Sequence, residues 1–354
     1  MKIAEIAPPW FPVPPPGYGG VELVVAQLAD RLSERHDVTL FGAAGSCTAA
    51  KLVTTSLDPP DAALVGNPWL DAHHAISAYL RIQDEGFDLV HDHSGIVGPA
   101  LASLLCGSPP VVHTLHGPWN ELARHYYAAI DQYVHLVAIS ETQRDANLDV
   151  RYAGVVHNGI ELDRYPCLET KDDFLVYIGR ANPDKGPALA IEVARRAGLP
   201  LAMVVKKAEP FERAYWDEHV APELHDEVEV YEDVSHERKV DLLARARAMV
   251  FPIQWPEPFG LVMVEAMACG TPVVACAAGA AVELVEDGVT GFLRNSVDDL
   301  VQAVAEVDRC PPGACRARVE QRFSAEVMVR GYETMFERLI AGRSAPGSGF
   351  PLRR

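Results

Sequence analysis

Short apolar runs recur along this chain, each followed by a segment whose apolar residues fall at helical spacing, and this alternation constrains the fold more than any other feature. A strand that is apolar at successive positions, and not only at every second one, is buried on both faces, which calls for a parallel sheet with helices on either side. The chain opens with a strand at 2–7, a Pro/Gly loop, and a helix carrying Val21, Val24, Val25, Leu28 and Leu32. A strand at 38–41, a strand ending at Leu89 and Val90, and a strand at 111–115 repeat the pattern. After His157-Asn158-Gly159 the periodicity lapses into a mixed charged stretch and restarts with a strand at 174–178. Then come a helix at 188–197, strands at 201–205 and 228–231, a helix at 236–246, a strand at 248–252, a helix at 259–268 and a strand at 273–275. The expectation is an α/β protein of two doubly wound parallel-sheet domains facing a cleft, 1–165 and 166–325. A last amphipathic helix at about 326–341 leads into a Gly/Pro/Ser-rich tail expected to be disordered.

Composition narrows the partners. The 354 residues hold 31 Lys+Arg against 49 Asp+Glu, a net charge of −18, which repels nucleic-acid backbones and anionic membrane surfaces unless cations are locally gathered. The seven cysteines show no CxxC spacing and fit a reducing cytoplasm. The first residues are broken by Glu5 and by prolines, unlike a signal peptide, and the longest uncharged apolar stretches are too short or too rich in Gly and Pro to cross a bilayer. A cytoplasmic protein without nucleic-acid or integral membrane partners is expected, with a homodimer as the protein partner considered.

The chemistry concentrates in FPIQWPEPFGLVMVEAMACGTPVVA, residues 251–275. With a helix beginning at Phe259 and Gly260, Glu257 and Glu265 are separated by eight helical positions, within ~80° of each other and ~12 Å apart along the axis. Both carboxylates then line one wall, and the free N–H groups of the helix start between them suit a phosphate. A sugar nucleotide has that outline, with hydroxyls, a diphosphate and a ribose diol in succession. The loop Gly179-Arg180-Ala181-Asn182-Pro183-Asp184-Lys185-Gly186 places two cations, Arg180 and Lys185, after an apolar strand, where they can neutralise a diphosphate leaving group without a metal. Gly19 and Gly20 let the backbone approach a ligand at a helix start, and the absence of GxGxxG speaks against a nicotinamide cofactor. His91 and His93 alternate as metal ligands do, but no third ligand follows from the sequence, and no metal is expected. His93 at a strand tip and Tyr18 are acceptor-side candidates. Trp119 and the stretch 126–133 offer aromatic and apolar surface for an acceptor.

EPFGLVMVEAMACGTPVVA resembles the signature of retaining glycosyltransferases of family 4, and the likeness runs from PPPGYGGVELVVAQLADRL through HNGIEL and YIGRANPDKG to the last helix. The resemblance implies the GT-B architecture of two Rossmann-like domains, the first binding the acceptor and the second the donor, with the C-terminal helix crossing back to the first. It implies that Glu257 contacts donor-sugar hydroxyls, that Phe259, Gly260 and Leu261 lie beside the donor, and that Glu265 holds the ribose. It also places the diphosphate on Arg180 and Lys185, sets Gly19 and Gly20 across from it, and brings His116 of T-x-H-G near the reacting sugar. Two departures stand out. Lys206-Lys207 replaces a Gly-rich turn, Lys207 being the better candidate to meet the diphosphate or an acidic sugar, and Gly279-Ala280-Ala281-Val282-Glu283 keeps one glycine where G-G-x-x-E has two.

The function expected is transfer of a sugar from a nucleoside diphosphate sugar, UDP being the favoured base, to a hydroxyl of a soluble small molecule, a secondary metabolite for instance, with retention and without a cofactor. The rivals are a nucleotide-sugar epimerase or hydrolase on the same fold, and a silent nucleotide-sugar-binding protein.

Overall fold

The structure is a computed structural model that describes residues 1–17, 19–55, 65–105, 109–232 and 234–343. Tyr18 and the tail beyond 343 lie outside these residues. The chain divides into two compact units, one built from residues 1–159 together with the last helix, Ala325–Arg343, and the other from Ile160–Ser324.

The first unit is a seven-stranded parallel sheet of β1 (Lys2–Ile6), β2 (Asp37–Gly42), β3 (Lys51–Thr54), β4 (Leu89–Asp92), β5 (Val111–Leu115), β6 (His135–Ala138) and β7 (Tyr152–Val155), in the order β3-β2-β1-β4-β5-β6-β7. Leu89 and Val90 open β4 instead of closing it, because Val90 and the residues after it pair with both β1 and β5. β3, β6 and β7 are four residues each, too short for a search for apolar runs to separate from loops. The helix Pro68–Glu85 also escapes the sequence reading. Asn67 caps it by accepting from the backbone of Trp69 and Leu70, and Gly86 closes it in the left-handed region.

Successive side chains of β1 point to opposite faces of the sheet. On one face Ala4 and Ile6 join Phe41, Tyr79, Ile82, Val90, Val111 and Leu136 in a continuous core beneath the helix Pro68–Glu85. The opposite face, with Glu5 and His91, is covered by Tyr332 and Phe336 of the last helix, whose rings stand 4.5 and 5.2 Å from the His91 ring. Tyr332 and Phe336 are fully buried there.

The second unit is a six-stranded parallel sheet of β8 (Asp172–Arg180), β9 (Leu201–Lys206), β10 (Val228–Glu232), β11 (Ala246–Phe251), β12 (Val273–Ala275) and β13 (Gly291–Leu293), in the order β10-β9-β8-β11-β12-β13. The unit begins at Ile160 and not at 166, since Ile160 N–H donates to Phe323 O at 3.0 Å and Arg316 donates to the carbonyls of Tyr165 and Leu162. In each sheet the winding reverses once, between β1 and β4 and between β8 and β11. Doubly wound sheets bind their ligands just beyond the carboxyl ends of the strands at such a reversal.

Because Phe336 closes the face over β1 and β4, Phe336→Ala is expected to cost about 3–5 kcal/mol through lost burial and the cavity left behind. Urea unfolding followed by near-UV circular dichroism measures it, and a loss below ~1 kcal/mol would show that the last helix is not part of this core.

Candidate active site

At the reversal in the second sheet, the loops after β8 and β11 are bonded to each other. Gln254 N–H donates to Asp184 O at 2.8 Å, and Gly186, at φ +67°, packs so close that a Cβ there would lie 2.3 Å from Pro252 O. Asn182 turns the first loop by accepting from Lys185 N–H at 3.0 Å, and the left-handed Gly186 starts the helix Pro187–Ala197. These turns fix Arg180 as the last residue of β8 and set Lys185 five residues on.

Lys185 Nζ donates to Glu257 Oε2, and Trp255 Nε1–H donates to the same oxygen at 2.8 Å. The ammonium also lies 4.9 Å from the Trp255 ring centroid. The pair is only 16% and 13% exposed, so solvent screens it weakly. Arg180 donates through Nε to the fully buried Glu212, and its guanidinium stands 5.8 Å over the Phe211 ring. The two predicted cations are thus anchored on carboxylates, Glu257 and Glu212, at the site's floor.

The helix expected to begin at Phe259 begins at Leu261, since Gly260 at φ +91° is its cap. Glu257 therefore sits in an irregular turn, and the helical arithmetic relating it to Glu265 does not apply. Phe259 is buried against Phe323, with ring centroids 6.0 Å apart, so its side chain belongs to the core and only its backbone faces the turn. Glu265 is 2% exposed, and Lys239 donates to both its oxygens at 2.7 and 2.8 Å while Tyr165 OH donates to Oε1 at 2.9 Å. Lys207 lies 2.8 Å from Glu232 Oε1 and over the Trp216 ring at 4.6 Å. The sequence gives no role to Trp255, although it stands in the 251–275 motif two residues before Glu257, nor to Lys239, Glu212 and Tyr165, which no motif marks and which the fold brings to Glu265 and Arg180.

The departure at Gly279 has a simple account. Gly279 is left-handed at φ +54°, and a Cβ would come within 2.3 Å of the backbone N and O of Glu257, so this glycine is required. Ala280, where the second glycine is missing, has φ −68°, an ordinary value for alanine, and its N–H donates to Glu257 O at 2.8 Å.

In the first unit, Gly19 and Gly20 stand at the start of the helix Gly20–Ser33, after the loop that leaves β1. Gly19 is buried, and a Cβ on it would meet Pro15 at 2.7 Å. His93 and His116 follow β4 and β5, and His93 Nδ1 is 2.8 Å from His116 Nε2. Burial holds His93 down to about 4 and His116 well below the ordinary imidazole value, so both are neutral near pH 7. A cavity of about 320 Å³ opens at the turn after β5, its wall including Leu115, Gly117, Trp119, Leu122, Tyr126 and Tyr127. Trp119 is held by its Nε1–H donating to Gln143 O at 2.8 Å.

Two parallel-sheet α/β units with a charged constellation at the winding reversal define a GT-B protein. Family models match the chain in succession, Glycosyltransferase Family 4 over residues 18–164 and Glycosyl transferases group 1 over residues 162–322. The chain belongs to this family of glycosyltransferases. It is 28% identical to the D-inositol 3-phosphate glycosyltransferase of Mycolicibacterium smegmatis over 90% of this chain and 86% of that protein. To the alpha-maltose-1-phosphate synthase of the same organism it is 29% identical over 79% and 81%. Among solved structures, AviGT4, a glycosyltransferase involved in avilamycin A biosynthesis, matches at 26% identity and TM-score 0.70, covering 97% of this chain and 98% of its own. A sucrose-phosphate synthase from Thermosynechococcus elongatus, at 20% identity, shares the fold with TM-score 0.80 over 97% of this chain and 100% of its own.

Glu265→Gln leaves Lys239 without its carboxylate. Breaking a buried pair costs about 3–5 kcal/mol, and since Lys239 keeps 21% of its side chain in solvent the expected loss is smaller, about 1–3 kcal/mol. Chemical denaturation without any ligand measures it, and an unchanged midpoint would show that Glu265 is not part of the structural framework.

Proposed function

We propose that this glycosyltransferase moves a sugar from a nucleoside diphosphate sugar, UDP-linked, to a hydroxyl of a soluble small-molecule acceptor with retention at the anomeric carbon. The observation that carries the reading is the knot of Lys185, Glu257 and Trp255 at the β8/β11 reversal, with Arg180 on the adjoining loop. The reaction breaks the bond between the anomeric carbon and the diphosphate oxygen, so negative charge grows on the leaving group. Cations fixed beforehand stabilise that charge without reorganising. Arg180 and Lys185 serve as those cations, while Glu257, relieved of part of its bond to Lys185, accepts hydroxyls of the donor sugar. Glu265 accepts the ribose diol by sharing its carboxylate with Lys239. The turn at Phe259, Gly260 and Leu261 contributes backbone, Lys207 reinforces the positive field, and the roles of Gly19 and Gly20 are close backbone approach to the donor. His116, backed by His93, faces the reacting sugar as a neutral imidazole.

The 320 Å³ aromatic cavity suits the acceptor. Its walls of Trp119, Tyr126 and Tyr127 favour a ring or an apolar body with a hydroxyl presented toward His116. Transfer through Arg180 and Lys185 needs no metal at the diphosphate.

Calorimetry with UDP, TDP, GDP and ADP tests the donor reading. One nucleotide is expected to bind, and Arg180→Ala and Lys185→Ala each weaken it by more than about 1.4 kcal/mol, a tenfold change. If no nucleotide binds, or both variants bind as wild type does, the donor site lies elsewhere. Leu122 is 81% exposed on the cavity rim, so Leu122→Glu leaves the fold intact. It is expected to raise the acceptor KM about fivefold or more, roughly 1 kcal/mol, with nucleotide affinity unchanged. A parallel loss of nucleotide affinity would remove the cavity from the acceptor's path.

A further inference from the structure

In the first unit the parallel register sets Glu5 of β1 directly beside His91 of β4, and His93 follows two residues on. All three are buried, Glu5 and His91 completely. Glu5 Oε1 lies 3.0 Å from His91 Nδ1 and 2.8 Å from His93 Nε2, and those two nitrogens are 3.2 Å apart. The ion-pair partners of this carboxylate among the described residues are these two imidazoles; neither a lysine nor an arginine reaches it. The approach is close, yet neither carboxylate oxygen accepts an aligned N–H. A fully buried carboxylate whose oxygens receive no directed donor is costly to keep.

We propose that Glu5 Oε1, His91 Nδ1 and His93 Nε2 bind a divalent first-row transition ion, Zn²⁺ or Fe²⁺ by the donor set. Ligands at ~2.0–2.1 Å from such an ion stand about 2.9 Å apart on an octahedral face and about 3.3 Å apart on a tetrahedral one. The three observed separations, 2.8 to 3.2 Å, fall at these edges. Two imidazoles and one carboxylate are the ligand set these ions take while keeping a further position open. Both histidines also have the outer partner that a metal-bound imidazole requires. His91 Nε2 is 2.9 Å from Thr114 Oγ1, which is itself 2.9 Å from Tyr332 OH, and His93 Nδ1 is 2.8 Å from His116 Nε2.

Binding replaces any proton shared among the three groups, so protons are released and no redox change occurs. With the ion on Nε2, His93 must carry its proton on Nδ1 and donate it to His116 Nε2. His116 then holds its own proton on Nδ1, so the ion sets the tautomer of the imidazole beside the aromatic cavity. The ion joins β1, β4 and, through Thr114 and Tyr332, the last helix. It is separate from the leaving-group chemistry proposed for Arg180 and Lys185, and its test uses no nucleotide and no turnover.

The test is elemental analysis of full-length protein purified without chelator, then stripping and titration with Co²⁺ as a visible probe. Wild type is expected to carry about one ion per chain and to develop d–d bands with Co²⁺. Loss of one inner ligand exceeds the 10–100-fold effect of losing an outer-shell partner, so Glu5→Gln and His91→Ala should bind at least ~100-fold more weakly. Wild type that neither carries metal nor gains d–d bands or a higher Tm with Zn²⁺ or Co²⁺ overturns the proposal in favour of a closed Glu–His–His hydrogen-bonded cluster. Variants that bind as wild type does would also overturn it. If either variant fails to fold, the metal content and Co²⁺ spectrum of wild type decide alone.

Discussion

In each unit the order of the strands reverses between the first strand and the fourth, and the chemistry of the protein hangs on that constraint. Parallel strands carry their exits to one edge of the sheet, and at the reversal the helices turn away to opposite faces and leave a crevice. Residues with no sequence proximity are delivered there together. The loop after β8 brings Arg180 and Lys185, and the loop after β11 brings Glu257 and Trp255. In the other sheet the loop after β1 brings Gly19, and the end of β4 brings His93. Each of these two clusters is therefore a consequence of winding within its own unit, and side-chain chemistry only elaborates it.

A strongly acidic chain would squander isolated cations by collecting diffuse counter-charge. Here four cations of the second unit are each seated on one carboxylate: Arg180 on Glu212, Lys185 on Glu257, Lys207 on Glu232, Lys239 on Glu265. Such pairs are not strong stabilisers, because desolvation offsets much of the Coulomb gain. Their use is positional. Three of the four carboxylates, Glu212, Glu257 and Glu265, are largely withdrawn from solvent, so those pairs hold their cations in fixed places.

How much of this could be read from the sequence depends on the kind of signal. The central strands of both sheets were legible because burial on both faces makes them apolar at every position, as in residues 174–178 and 201–205. Edge strands such as β3 and β13 are only four and three residues long, and periodicity does not separate them from loops. Arg180, Lys185, Glu257 and Glu265 sit in contiguous motifs and were accessible. Glu5 was not, although it is three strands' worth of sequence from its partners only in the chain; in space it is the neighbour of His91 by register. A lone glutamate in an apolar strand carries no motif, and pairing is a property of the sheet. The start of the helix at Leu261 was misplaced because glycine at 260 reads equally well as first turn or as cap until its positive φ is known.

The last helix belongs to the first unit, and this has a consequence for how the molecule is made. During synthesis β1 to β7 emerge early, but the face bearing Glu5 and His91 stays without Tyr332 and Phe336 until the helix Ala325–Arg343 has left the ribosome. At roughly 5–20 residues per second the intervening stretch takes about 10–40 s. For that interval the second unit can complete itself while the first waits with that face uncovered. The unit translated first is thus the one that finishes last, and its vulnerable period is set by the length of the other.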